Sequence, residues 1–102
     1  MESEMQFVIL FEDNPNLGAD VRRQHMSAHL AFLEANSSSI RAAGPLTSPE
    51  GEAAGGVWLV EAEDVRTAES LVKADPFWPT GLRKSFRVLE WTQVFASGER
   101  LI

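Results

Sequence analysis

The stretch "VRRQHMSAHLAFL", residues 21–33, holds both histidines of the chain, four residues apart. Imidazole takes and gives protons near neutral pH more readily than any other ordinary side chain, so His25 and His29 are the first candidates for chemistry. Such a base works best with a group that orients it. Asp75 is a candidate, because it follows Leu71 by four and Val72 by three and so continues the apolar face of a second helix. A carboxylate at the C-terminal end of a helix meets the negative end of the dipole and gains from a nearby cation.

At about 100° per residue, Val21, Ala28, Phe32 and Ala35 form one apolar stripe on the first helix. His25 falls within about 50° of its centre and His29 about 40° further round, with Arg22 and Leu33 on the same shoulder. This geometry predicts a His25–Asp75 pair, with His25 as general acid/base and Asp75 orienting it. Arg22, His29 and Phe77 are the candidate substrate-binding residues. Blander roles compete: His25 as a core-edge imidazole satisfied by a carbonyl or water, and Asp75 as the cap of a short turn over "DPFW".

Other chemistries find less support. Ser27, Ser70 and Ser85 sit in no G-x-S-x-G turn, which leaves a hydrolase triad without its nucleophile elbow. His25 and His29 have the i, i+4 spacing of two metal ligands, with Asp75 as a third, but the intervening "MSA" lacks the glutamate of the zinc-protease motif. No metal is expected. Neither a glycine-rich phosphate loop nor a dinucleotide fingerprint is present, so the protein is expected to work without a cofactor. "GPL" (44–46) reads as a strand-end turn. The aromatics of "FWP" (77–79) read as core or interface anchors, or as a substrate wall.

The elements that must position these residues follow from local pattern. "MQFVILF" (5–11) is a strand by its β-branched and aromatic content, and "EDNPNLG" breaks it. Residues 19–35 form a helix that ends at "NSSS". "IRAAGPL" (40–46) and "VWLVEAE" (57–63) are strands around the polar loop "TSPEGEAAGG". "DVRTAESLVKA" (64–74) is a helix with Asp64 as N-cap, stopped at Asp75-Pro76, and "SFRVLEWTQVF" (85–95) is the last strand. The order β-α-β-β-α-β predicts one ferredoxin-like α+β domain over 1–102, a four-stranded antiparallel sheet with both helices on one face. The first strand is apolar on both faces, so the face without helices predicts a homodimer packed sheet to sheet.

Composition narrows the partners. The 102 residues are 44% hydrophobic and 24% charged, as in globular chains, with a formal net charge of −6. No cluster of Lys or Arg could neutralise phosphates, so nucleic acid and anionic membranes are not expected partners and a small-molecule ligand is. Cysteine is absent, and the acidic "MESEM" start does not resemble a secretory leader, so a cytoplasmic location is expected.

"VRRQHM", "RAAGPL" and "ADPFWPTGL", in that order, resemble the YciI-like (YCII-related) proteins of the dimeric α+β barrel superfamily. The resemblance implies a ferredoxin-like protomer, a dimer formed through the sheets and an active site built on a His-Asp pair. By position it places the histidine on His25, the aspartate on Asp75 and the arginine of the first motif on Arg22. The function expected is a small homodimeric enzyme of lyase or isomerase type, using general acid/base chemistry on a small organic substrate. The alternative is a non-catalytic small-ligand binding or accessory protein.

Overall fold

In the first strand, β1 (Met5–Asp13), alternate side chains meet different surroundings: Phe7, Ile9 and Phe11 are buried, whereas Val8 and Leu10 are half-buried. This two-residue period divides the whole molecule. The computed structural model describes residues 5–17 and 19–102. The first four residues, part of the acidic start weighed against a leader, lie outside the described residues. After β1 come α1 (Ala19–Ala35), β2 (Ile40–Thr47), β3 (Ala53–Ala62), α2 (Val65–Ala74) and β4 (Arg83–Glu90). The sheet is antiparallel in the order β2-β3-β1-β4, the ferredoxin-like arrangement.

Both helices pack on the face that carries Phe7, Ile9 and Phe11. Trp58 and Val60 of β3, Ile40 of β2, and Ala68 and Val72 of α2 complete this core, with Phe32 and Leu33 of α1 packed against it. Helix α2 starts where the Asp64 carboxylate accepts from the Thr67 N–H at 2.8 Å. It ends at Asp75, whose φ of −68° and ψ of 134° are extended because Pro76 follows. A 3₁₀ turn, Trp78–Thr80, then closes on Gly81 at φ 80°, a left-handed conformation that glycine adopts without a Cβ penalty, and delivers the chain into β4.

Two departures from the sequence pattern matter. The strand expected over 85–95 leaves β1 after the Trp91 N–H donates to the Gln6 carbonyl at 2.8 Å. Beyond it, β5 (Phe95–Ala96) and β6 (Glu99–Arg100) form a separate hairpin around Ser97 and Gly98, both at positive φ, as a tight hairpin turn requires. The second is a β-bulge where β4 begins. Glu12 faces Ser85 but Asp13 faces Arg83, so Lys84 is the extra residue and Arg83 shares the helix-side face of the sheet with Phe11 and Asp13. Among the described residues, no helix is long and apolar enough to cross a membrane.

Candidate active site

Asp75 is the centre of a buried polar cluster, 1% exposed. Its Oδ1 lies 2.8 Å from His29 Nδ1 and accepts from the Phe77 N–H at 3.3 Å, while its Oδ2 accepts from Arg83 Nη1. The backbone fixes it as well: its carbonyl accepts from the Trp78 N–H at 2.8 Å and its N–H donates to the Val72 carbonyl. Proline at 76 therefore does two things, stopping α2 and turning the Asp75 side chain into the space between the helices and the sheet. The capping role of Asp75 and its contact with an imidazole coexist.

The imidazole is His29, not His25. The pairing expected of His25 is made one turn later, and the reason lies in how the helix face is weighted. Ala28 and Ala35, counted above as part of the apolar stripe, are exposed; Val21, Met26, Phe32 and Leu33 are the apolar residues of α1 that turn inward. Measured from Val21, those four span an arc centred about 70° round the helix, and His29 lies about 80° round. The buried face is thus displaced by about 80° from an alanine-based stripe, and His29, 7% exposed, sits at its middle. His25 is half-buried, makes no side-chain hydrogen bond among the described residues and does not line the cavity described below.

Arg83 was not anticipated from the sequence. Its guanidinium carbon lies 4.1 Å from the Phe11 ring centroid, 5.3 Å from Trp58 and 5.4 Å from Phe77, so aromatic faces hold the cation beside Asp75. Burial pushes its pKa below the ordinary arginine value, and the Asp75 carboxylate opposes that push. It remains a cation at any physiological pH. Buried charges persist only when paired, and this pair is bonded on both sides. Counting alternation back from Phe86 and Val88 puts Arg83 on the opposite face; the bulge at Lys84 reverses it.

Of the cluster, His29 and Arg83 line a cavity of about 280 Å³, together with Phe11, Trp58 and Phe77. A space of about 150 Å³ holds benzene, so there is room for one ring with several substituents. The His29 and Phe77 rings pack with centroids 4.4 Å apart. Arg22, bonded to Asp13, also lines this space, as do Met26 and Leu33. Among the described residues no buried side-chain nitrogen or oxygen lacks a partner. His29 Nε2 has none, so it is left on the open side of the ring. Since a carboxylate only accepts, Nδ1 carries the hydrogen of the Asp75 contact, and the neutral ring offers the Nε2 lone pair.

Fold and site together define a small ferredoxin-like α+β protein with a ligand-sized cavity beside a His-Asp-Arg cluster. The chain belongs to the YCII-related family, whose domain model matches residues 5–92. It is similar to the 5-chloro-2-hydroxyhydroquinone dehydrochlorinase TftG of Burkholderia phenoliruptrix, whose structure holds 2,5-dihydroxybenzoquinone. The two are 32% identical, with 86% of this chain and 94% of that chain covered and a TM-score of 0.73. Two further structures share the fold at low identity. A hypothetical protein of Arabidopsis thaliana is 9% identical, over 94% of this chain and 93% of that one, with a TM-score of 0.54. A dimeric protein of unknown function and ferredoxin-like fold from Bacteroides fragilis is 15% identical, over 88% and 96%, with a TM-score of 0.51. Comparison with curated proteins gave no match.

Proposed function

We propose that the protein is a lyase-type enzyme acting on a compact oxygenated ring, with His29 as general acid/base and Asp75 as the group that orients it. The observation that carries this is the buried 2.8 Å contact between His29 and Asp75 at the wall of an aromatic cavity. The Nε2 lone pair takes a proton from a ring hydroxyl and the imidazolium returns it to the halogen-bearing ring carbon; the C–X bond then breaks as a second ring hydroxyl gives its proton to Nε2, which passes it to solvent. Loss of HX from a halogenated polyphenol removes one proton and one halide and needs no oxidant or co-reactant. The similarity to a dehydrochlorinase over most of both chains supports this reaction class. Phe77 and Arg22 contact the ring and its oxygens.

The working unit is a homodimer in this proposal. Val8, Leu59 and Leu89 form an apolar row across β3, β1 and β4 on the face opposite the helices, and a second copy of that face is its simplest cover. A second function has an observation in its favour: Asp75 also ties Phe77 and Arg83 together, as a purely structural junction in a ligand-binding protein would.

Chloride release from 5-chloro-2-hydroxyhydroquinone separates the two. The enzyme releases chloride, and Asp75→Asn slows release by about 10²–10⁴-fold, the usual contribution of positioned acid/base catalysis. Binding of this compound without release would establish the ligand-binding function instead.

A further inference from the structure

We propose that Arg83 is the positioning residue of the His29–Asp75 pair, holding Asp75 as an acceptor so that His29 is protonated on Nδ1 and open on Nε2. This rests on the acid/base role proposed for the pair and adds the element that sets its direction. A carboxyl as deeply buried as Asp75, with no cation beside it, does better by taking up a proton. Two outcomes then follow for the imidazole. Either the protonated acid donates to Nδ1, which moves the ring hydrogen to Nε2, or the ring takes the proton itself and carries hydrogens on both nitrogens. In both cases Nε2 loses the lone pair that faces the cavity.

Arg83 prevents both. Its guanidinium donates to Oδ2 of Asp75 while His29 uses Oδ1, so one carboxylate is shared between a permanent cation and the imidazole. The cation is held by the Phe11, Trp58 and Phe77 rings close to it and by the bulge that turns β4 at Lys84. The other charged groups that act on this cluster are Asp13 on β1 and Arg22 on α1, which pair with each other.

The chain has only two histidines, so ring-nitrogen NMR of the full-length ¹⁵N-labelled protein resolves the question, with His25 as internal reference. At pH 8 the parent is expected to show His29 Nδ1 protonated and Nε2 bare. In Arg83→Met, which keeps an apolar side chain against Phe11, Nε2 becomes protonated in the majority of molecules and His25 is unchanged. Arg83→Lys restores the parent pattern. Nε2 bare in folded Arg83→Met, as in the parent, would overturn the proposal. So would a neutral His29 protonated on Nε2 in the parent, a result that needs no variant and stands even if Arg83→Met does not fold. The ring signals read the effect of Arg83 whether or not the pair turns over a substrate. Loss of the catalytic role would show in chloride release and leave these signals as they are.

Discussion

The two faces of the sheet come from the same strands and differ in what lies on them. On the helix side, Phe7, Ile9 and Phe11 are at most 5% exposed, and the charged groups admitted there are paired: Asp75 alone accepts from three donors. On the other side Val8, Leu10, Val57 and Leu59 are half-buried, and Leu89 and Trp91 are 38% and 40% exposed. Apolar residues occupy both faces, so hydrophobicity does not tell them apart. What does is the cost of burying polar groups, which the helix side meets by pairing them around Asp75 and the open side avoids by keeping Gln6, Glu61 and Arg87 at its margins. The first arrangement suits a site, and the second suits association.

The comparison breaks most sharply at Asp75. Asp75→Leu leaves Arg83 and His29 buried without their shared acceptor and is expected to cost about 3–5 kcal/mol in urea unfolding. Adding Arg83→Met to it should recover part of that loss, because the uncompensated cation goes with its partner. On the open face, Leu10→Asp is expected to leave the protomer folded and to weaken self-association at least about 30-fold, equivalent to about 2 kcal/mol, by sedimentation. A parent that sediments as a monomer at micromolar concentration would remove the dimer from the proposal. His25→Gln, on α1 but outside the buried cluster, should change stability by no more than about 0.5 kcal/mol.

The smallest effect is at Asp64. Accepting from the Thr67 backbone N–H holds its carboxyl below the usual carboxylate range. A folded pKa below the unfolded value means that the stabilisation is present above the unfolded value of about 3.9 and is lost as pH falls through the folded one. Asp64→Ala should therefore lower the melting temperature slightly at pH 7, and the difference should shrink as pH is lowered below the unfolded value, measured by thermal unfolding across that range.

Much of this molecule can be read from its sequence, and the exceptions have physical causes. The element order follows from "MQFVILF" and "VWLVEAE" as strands and from breakers such as "EDNPNLG", because backbone preferences there agree with the tertiary fold. Asp75 stands out because it continues the Leu71–Val72 face and precedes a proline. His29 does not, since alanines say little about which way a helix faces; weighting Met26, Phe32 and Leu33 by size points to it. Arg83 is hidden by a bulge, because one extra residue at Lys84 reverses which side of the strand it occupies. The end of β4 is hidden similarly: apolar character continues through Val94 and Phe95 after the pairing with β1 has stopped.

The central claim, that His29 and not His25 carries the chemistry, is tested most directly by comparing chloride release from 5-chloro-2-hydroxyhydroquinone by the parent, His29→Gln and His25→Gln at saturating substrate. The structure predicts a kcat lowered by about 10²–10⁴-fold in His29→Gln and nearly unchanged in His25→Gln. Parent-like turnover by folded His29→Gln, or a comparable loss in His25→Gln, would contradict it.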